Sequence, residues 1–229
     1  MKKITIVMAL LISALSFAQS NAGLTSHYEA FYKQMKAQGD VQGVINAMTH
    51  LEVLAPSQAR RDTLAYLYLS ERQYLQAINT IGFEKNATDS DLNVEVKAVA
   101  LKNLNEIPRA LEHYTVLFSR KPNPALAYEM ADLMLQNADI AGAKAKISYG
   151  LANATEDMKR AFYETQRPYE TSLKAAFTYL NALAVFQEDQ TKIDAALKLV
   201  NDALAIDPNF NMAKRTREAL EAKKAAPKN

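Results

Sequence analysis

The sequence predicts an all-α protein made of stacked helix–turn–helix units, and three observations carry that prediction. Four small residues, Val44, Ala77, Ala110 and Ala143, succeed one another at a spacing of 33, and Ala196 follows after a gap of 53. A fixed period in this range marks supersecondary units that share a core and leave a long exposed surface. Within each unit the apolar residues recur at three- and four-residue steps, as amphipathic helices require. Only 6 Gly and 7 Pro interrupt a chain rich in Ala, Leu, Lys and Glu, which suits helices better than many short strands.

The first element to separate from the fold is residues 1–18. Lys2 and Lys3 precede an apolar run from Ile4 to Leu15, broken only by Thr5 and Ser13. Ser16-Phe17-Ala18 then places small residues at −3 and −1 of a cleavage site before Gln19. This is the layout of a secretory signal peptide, and the run is too short for a membrane span. The mature chain is expected to be soluble outside the cytoplasm, periplasmic or secreted, with no membrane span. Loss of Lys2 and Lys3 leaves 25 basic against 25 acidic residues, which counts against a nucleic-acid or general polyanion partner. With no Cys, there are no disulfides and no thiolate metal site, so helix packing must supply the stability.

Residues 19–208 divide into about five repeats. The first holds Tyr28, Phe31, Met35, the Gly39-Asp40 break, Val44, Met48, Leu51 and Pro56. The second holds Leu64-Ala65, Tyr68, Tyr74 and Ala77-Ile78; the third Val94, Ala98, Leu101, Ala110-Leu111, Tyr114 and Pro122. The fourth holds Met130-Ala131, Met134, Asp139, Ala143 and Ile147; the fifth Tyr179, Ala182-Leu183, Ala196-Leu197, Val200 and Ile206-Asp207-Pro208. Polar breaks at 38–40, 105–106 and 137–139 separate a first helix, A, from a second, B. Pro56, Pro122 and Pro208 close units because proline cannot continue a helix. The periodic small residue sits where B crosses A, where a larger side chain would force the pair apart. Between the fourth and fifth repeats, 155–167 predicts an extra helix capped by Thr155, with Glu156 and Asp157 in its first turn. Pro168 is then expected to open a long helix running to Phe186. After Pro208, residues 209–229 predict a closing helix with Phe210, Ala213 and Leu220 on one side, and a disordered end.

No catalytic motif stands out. His27, His50 and His113 have no metal-ligand spacing, and there is no Gly-rich phosphate loop or nucleophile elbow. A non-catalytic chain without metal or cofactor is expected.

The pairs Leu64-Ala65 and Met130-Ala131, the aromatic Tyr68, the Gly39-Asp40 turn, the recurrent alanine and the Ile206-Asp207-Pro208 ending together resemble the tetratricopeptide repeat (TPR) family. The period of 33 is one short of that family's usual value, Lys97 stands where a large apolar residue belongs, and Trp is absent. The resemblance implies a right-handed superhelical solenoid whose A helices line a concave groove for a protein or peptide partner. Carried onto this chain, the groove residues are Glu29, Lys33, Lys36, Asp62, Tyr66, Leu69, Glu95, Val99, Lys102, Tyr128, Asp132 and Leu135, with Tyr66 and Tyr128 as aromatic anchors. The clamp for a C-terminal carboxylate is missing, because its places hold Glu29, Thr63, Leu92 and Val96. Self-association into a homo-oligomeric envelope component is the alternative reading.

Overall fold

The computed structural model describes residues 22–226; the predicted signal peptide and the last three residues lie outside them. Eleven helices and one β-hairpin make up the described chain. It divides into two compact units, the first ending at Asn105 and the second beginning at Glu106.

Unit 1 contains α1 (22–38), α2 (Val41–Leu54), α3 (Gln58–Ser70), α4 (Tyr74–Ile81) and α5 (Asp91–Asn103). Here α1, α3 and α5 are A helices, and α2 and α4 are B helices. Helix α3 packs on α2, α4 and α5. Val44, Ile45, Met48 and Leu64 form a buried cluster, flanked by Tyr32, Met35 and Tyr68. Helix α4 is short, since Gly82 ends it in the left-handed region at φ 77°. The loop that replaces its remaining turns is held by Lys97, whose Nζ bonds Asp89 Oδ2 at 2.7 Å and the Glu84 carbonyl at 2.8 Å. This explains the lysine at an apolar position: the side chain is 3% exposed and paired, and an unpaired buried ammonium would not be tolerated.

Unit 2 contains α6 (Ile107–Arg120), α7 (Pro124–Gln136), α8 (Ile140–Asn153), β1 (Lys159–Phe162), β2 (Tyr169–Ser172), α9 (Leu173–Glu188), α10 (Ile193–Ile206) and α11 (Asn211–Ala225). The A helices α7 and α9 touch each other, and each packs on its own B helix, α8 or α10. Helix α11 closes on α10. Ala110, Ala143 and Ala196 are fully buried, as the crossing argument requires.

The repeat is written in the caps as well as in the core. Ser57, Ser90 and Asn123 recur every 33 residues as N-caps of A helices, each accepting from the backbone N–H three residues on. Asp40 and Asp139 cap the B helices α2 and α8 in the same way. The A-to-B turns place Gly39, Arg72, Asn105 and Ala138 at φ 71°, 58°, 62° and 59°, again one period apart. There the following N–H reaches back to the carbonyl five residues earlier, as in Asp40 to Met35, Gln73 to Tyr68 and Asp139 to Met134. This is the Schellman closure.

The segment 155–167 corrects the sequence expectation of an extra helix. Thr155 does not cap a helix; its Oγ1 bonds Asp157 Oδ1 at 2.5 Å, and the chain enters β1. β1 and β2 pair antiparallel, with Arg160 opposite Thr171 and Phe162 opposite Tyr169. The following helix starts at Leu173, not Pro168. The register puts Arg160, Phe162, Tyr169 and Thr171 on one face of the hairpin, where Phe162 and Thr171 are buried, while Lys159 and Glu170 on the other face are exposed.

Candidate functional site: the A-helix face

The predicted groove residues fall into three columns, each stepping by one repeat of 33. The second column is the most accessible. Lys33 and Tyr66 are exposed, and Val99 and Asp132 are half-buried. In the third, Lys36 is exposed and Leu69 and Lys102 are half-buried, but Leu135 belongs to the core of unit 2. In the first, Glu29 and Glu95 are exposed while Asp62 and Tyr128 are buried. Asp62, Tyr128 and Leu135 are therefore corrected: they do not offer their side chains to a partner.

Asp62 is buried because it ties two A helices together. It accepts from Gln58 Nε2 at 2.7 Å on its own helix, from Ser90 Oγ at 2.8 Å, and from Asn93 Nδ2 at 2.7 Å at the start of α5. Burial pushes its carboxyl upward, but the bonds from Asn93, Gln58 and Ser90, with the charge of Lys97, outweigh burial and hold it below the usual carboxylate range.

Tyr128 is 3% exposed because the hairpin covers it. Its ring meets Phe177 at 5.6 Å and Phe162 at 6.4 Å, both edge-on. The Arg160 guanidinium lies 4.2 Å from the ring centroid and pairs with Glu129 on α7. Burial opposes the charge on Arg160, yet the Glu129 carboxylate more than compensates and raises its pKa. Phe162 also packs on Phe210 at 5.0 Å, and Tyr169 Oη accepts from the Met212 N–H at 3.4 Å. The hairpin is thus fixed to α7 on one side and to the start of α11 on the other.

Between the hairpin, α7, α9 and α11 lies a cleft of about 270 Å³. Tyr163 and Glu164 of the hairpin, Asp132 of α7 and Tyr179 of α9 contribute to its wall. The sequence places Tyr128 and Asp132 on this face, but expecting a helix at 155–167 hides the hairpin side of the cleft. The available signal was the alternation of Arg160-x-Phe162 and Tyr169-x-Thr171 around a turn containing Pro168.

His113 is buried at 1% exposure, consistent with a structural role. Among the described residues no group of three or more His, Asp or Glu is placed to hold a metal ion, and no helix is long and apolar enough to cross a membrane.

These features define a helical-repeat protein with a TPR-like fold. A solved tetratricopeptide repeat protein from Parabacteroides merdae ATCC 43184 matches over 86% of this chain and 72% of its own, with a TM-score of 0.62 and 13% identity. The MamA RS-1 ArsTM double mutant (TM-score 0.46, 13% identity, covering 88% of this chain and 85% of its own) also aligns. So does a TPR repeats protein, BF2334, from Bacteroides fragilis NCTC 9343 (TM-score 0.42, 11% identity, covering 87% and 98%). The latter two are too distant to bear on the fold. Neither a protein-family model nor a curated protein matches the sequence.

Proposed function

We propose that this chain is an exported scaffold of the periplasm or cell envelope that binds a protein or peptide partner through the A-helix face of its repeats, without catalysis. The observation that supports this reading is the set of side chains left accessible on that face. In unit 1, where α3 packs on α5, Lys33, Lys36, Tyr66 and Glu95 are exposed, and Leu69 and Val99 are half-buried. An aromatic anchor among aliphatic patches and charges of both signs suits a peptide or helix better than a small molecule. The signal-peptide pattern supports export. The experiment is charge reversal at Lys33, Lys36 and Lys102, with partner capture measured beside far-UV circular dichroism. Weaker capture at unchanged helicity is expected; unchanged capture removes this face from the proposal.

Self-association is a second reading, favoured by the exposed Val53 and Leu75 on the B helices α2 and α4, at 78% and 57% exposure. Light scattering separates the two: a monomer at high concentration removes it.

A further inference from the structure

Unit 2 carries two adjoining recesses along α9, and of their lining residues the 33-residue columns include only Tyr128 and Asp132. Tyr179, Leu183 and Phe186 stand on successive turns of α9 and span about 10 Å along the helix. Leu183 lines two recesses at once, one at each end of this row.

The first recess is acidic and aromatic. Asp132 and Glu164 both act on the Tyr179 phenol: burial first, then these two charges, raise it against the bond it shares with Thr216 at 3.1 Å. Glu164 accepts from Tyr169 Oη at 2.5 Å, and among the described residues it has no cation partner. Tyr163 beside it is 75% exposed. Arg160 adds one positive charge, which acts on both Glu129 and Asp132, so with Glu164 three carboxylates stand against one guanidinium and negative charge is in excess. Arg160 on the Tyr128 ring already displays in this chain the contact an incoming cation would make.

The second recess is apolar with a basic rim. Phe186, Ala219 and Leu220 line it, and Arg215 and Lys223 flank it. Lys223 Nζ lies 4.7 Å from the Phe186 ring centroid and donates to Gln190 at 2.8 Å. Among the described residues neither Arg215 nor Lys223 has a carboxylate partner.

We infer that this groove, resting on the scaffold reading above, takes an extended segment of the partner protein in a fixed order. A Lys or Arg side chain enters the Asp132–Glu164 end, a bulky apolar side chain lies against Leu183, and an Asp or Glu meets Arg215 and Lys223. At about 3.3 Å per extended residue, the roughly 10 Å between Tyr179 and Phe186 corresponds to about three residues, so the basic and acidic residues, which flank that row, stand at least about three positions apart. The charge asymmetry of the two ends fixes the direction of the segment, and the apolar floor supplies contact area.

The test is panning of a phage-displayed random-peptide library on the purified protein, followed by fluorescence anisotropy with the best peptide. The expected result is enrichment of basic–apolar–acidic sequences. Glu164→Lys should weaken the selected peptide by about tenfold, and exchanging the peptide's basic residue for Glu should restore binding. Arg215→Glu should do the same for the acidic residue. Both positions are exposed, so the variants should fold, and circular dichroism checks that. Enrichment without this charge order, or affinities unchanged in both variants, overturns the inference. Peptides lost on Tyr66→Ala but kept by Glu164→Lys and Arg215→Glu overturn it while leaving the scaffold reading intact. Panning that enriches no sequence counts against this groove, and the scaffold reading is then judged by crosslinking at the α3 face.

Discussion

Replacing Gly150 by Ala should destabilise unit 2, although the same change in most helix interiors is stabilising. Gly150 lies within α8, where Ala has a helix advantage of about 1 kcal/mol. Here a Cβ would overlap Cζ, Cε1 and Cε2 of Phe177 on α9. Apolar carbons rest about 3.5–4.0 Å apart, so the ring would have to retreat by on the order of 1.5 Å. Phe177 is fully buried and its ring already meets Tyr128, so there is little room to retreat. Overpacking of this kind costs about 1–3 kcal/mol. Backbone adjustment between α8 and α9 adds to that, and the net loss should be about 1–2 kcal/mol. The assay is urea unfolding followed by circular dichroism at 222 nm, with hydrogen exchange of the α8 and α9 amides to assign the loss to unit 2. With a urea slope of about 1–3 kcal/mol per molar, the midpoint should fall by roughly 1 M. Trimming Phe177 to Leu should cost less in the Gly150→Ala background than in the wild type, because the smaller side chain relieves the clash. A Gly150→Ala protein as stable as the wild type would refute the close-approach argument.

Three further outcomes are expected. Asp62 has a folded-state pKa below its unfolded value, so it contributes stability that is present above about pH 4 and lost as pH falls through the depressed value. Asp62→Asn should lower stability at pH 7 and flatten the decline toward pH 3, as urea midpoints at both pH values would show. Ala138 occupies at φ 59° the turn position that Gly39 occupies at φ 71°. Ala138→Gly should therefore stabilise, and Gly39→Ala destabilise, by about 0.5–1 kcal/mol each in thermal or urea melts. Lys97→Met should cost about 3 kcal/mol, because it removes the buried ammonium that ties Asp89 and the Glu84 carbonyl to α5. Faster exchange of the 82–90 amides would locate that loss.

Most of the helical framework was legible because a repeat states each rule several times. The alanine period, the turns at Gly39, Asn105 and Ala138, and the proline stops all mark boundaries that the structure keeps. What escaped was local and unrepeated. The hairpin at 159–172 has no counterpart in the other units, and its acidic start at Glu156-Asp157 mimics a helix N-terminus. Lys97 looked like a defect in the pattern because the loop it holds lies outside the helix it sits on. The candidate site was legible only by column. Periodicity places Glu29, Asp62, Glu95 and Tyr128 at equivalent positions, but it does not see what packs over each one. Ser90 and Asn93 claim Asp62, and the hairpin claims Tyr128. The groove along α9 was hidden for the same reason, since its acidic end depends on Glu164 reaching over α7 and α9.

Site-specific photocrosslinking in intact cells tests the binding-scaffold account most directly. A photoreactive residue is placed at 66 or 163, on the A-helix face and the hairpin tip, and in parallel at 53 or 75, on the B helices. The B positions are strongly exposed and apolar, so chance contact should favour them or treat all four alike. The account predicts a discrete adduct with another protein from 66 or 163 and none from 53 or 75. Adducts confined to 53 and 75, or formed only with further copies of this chain, would contradict it.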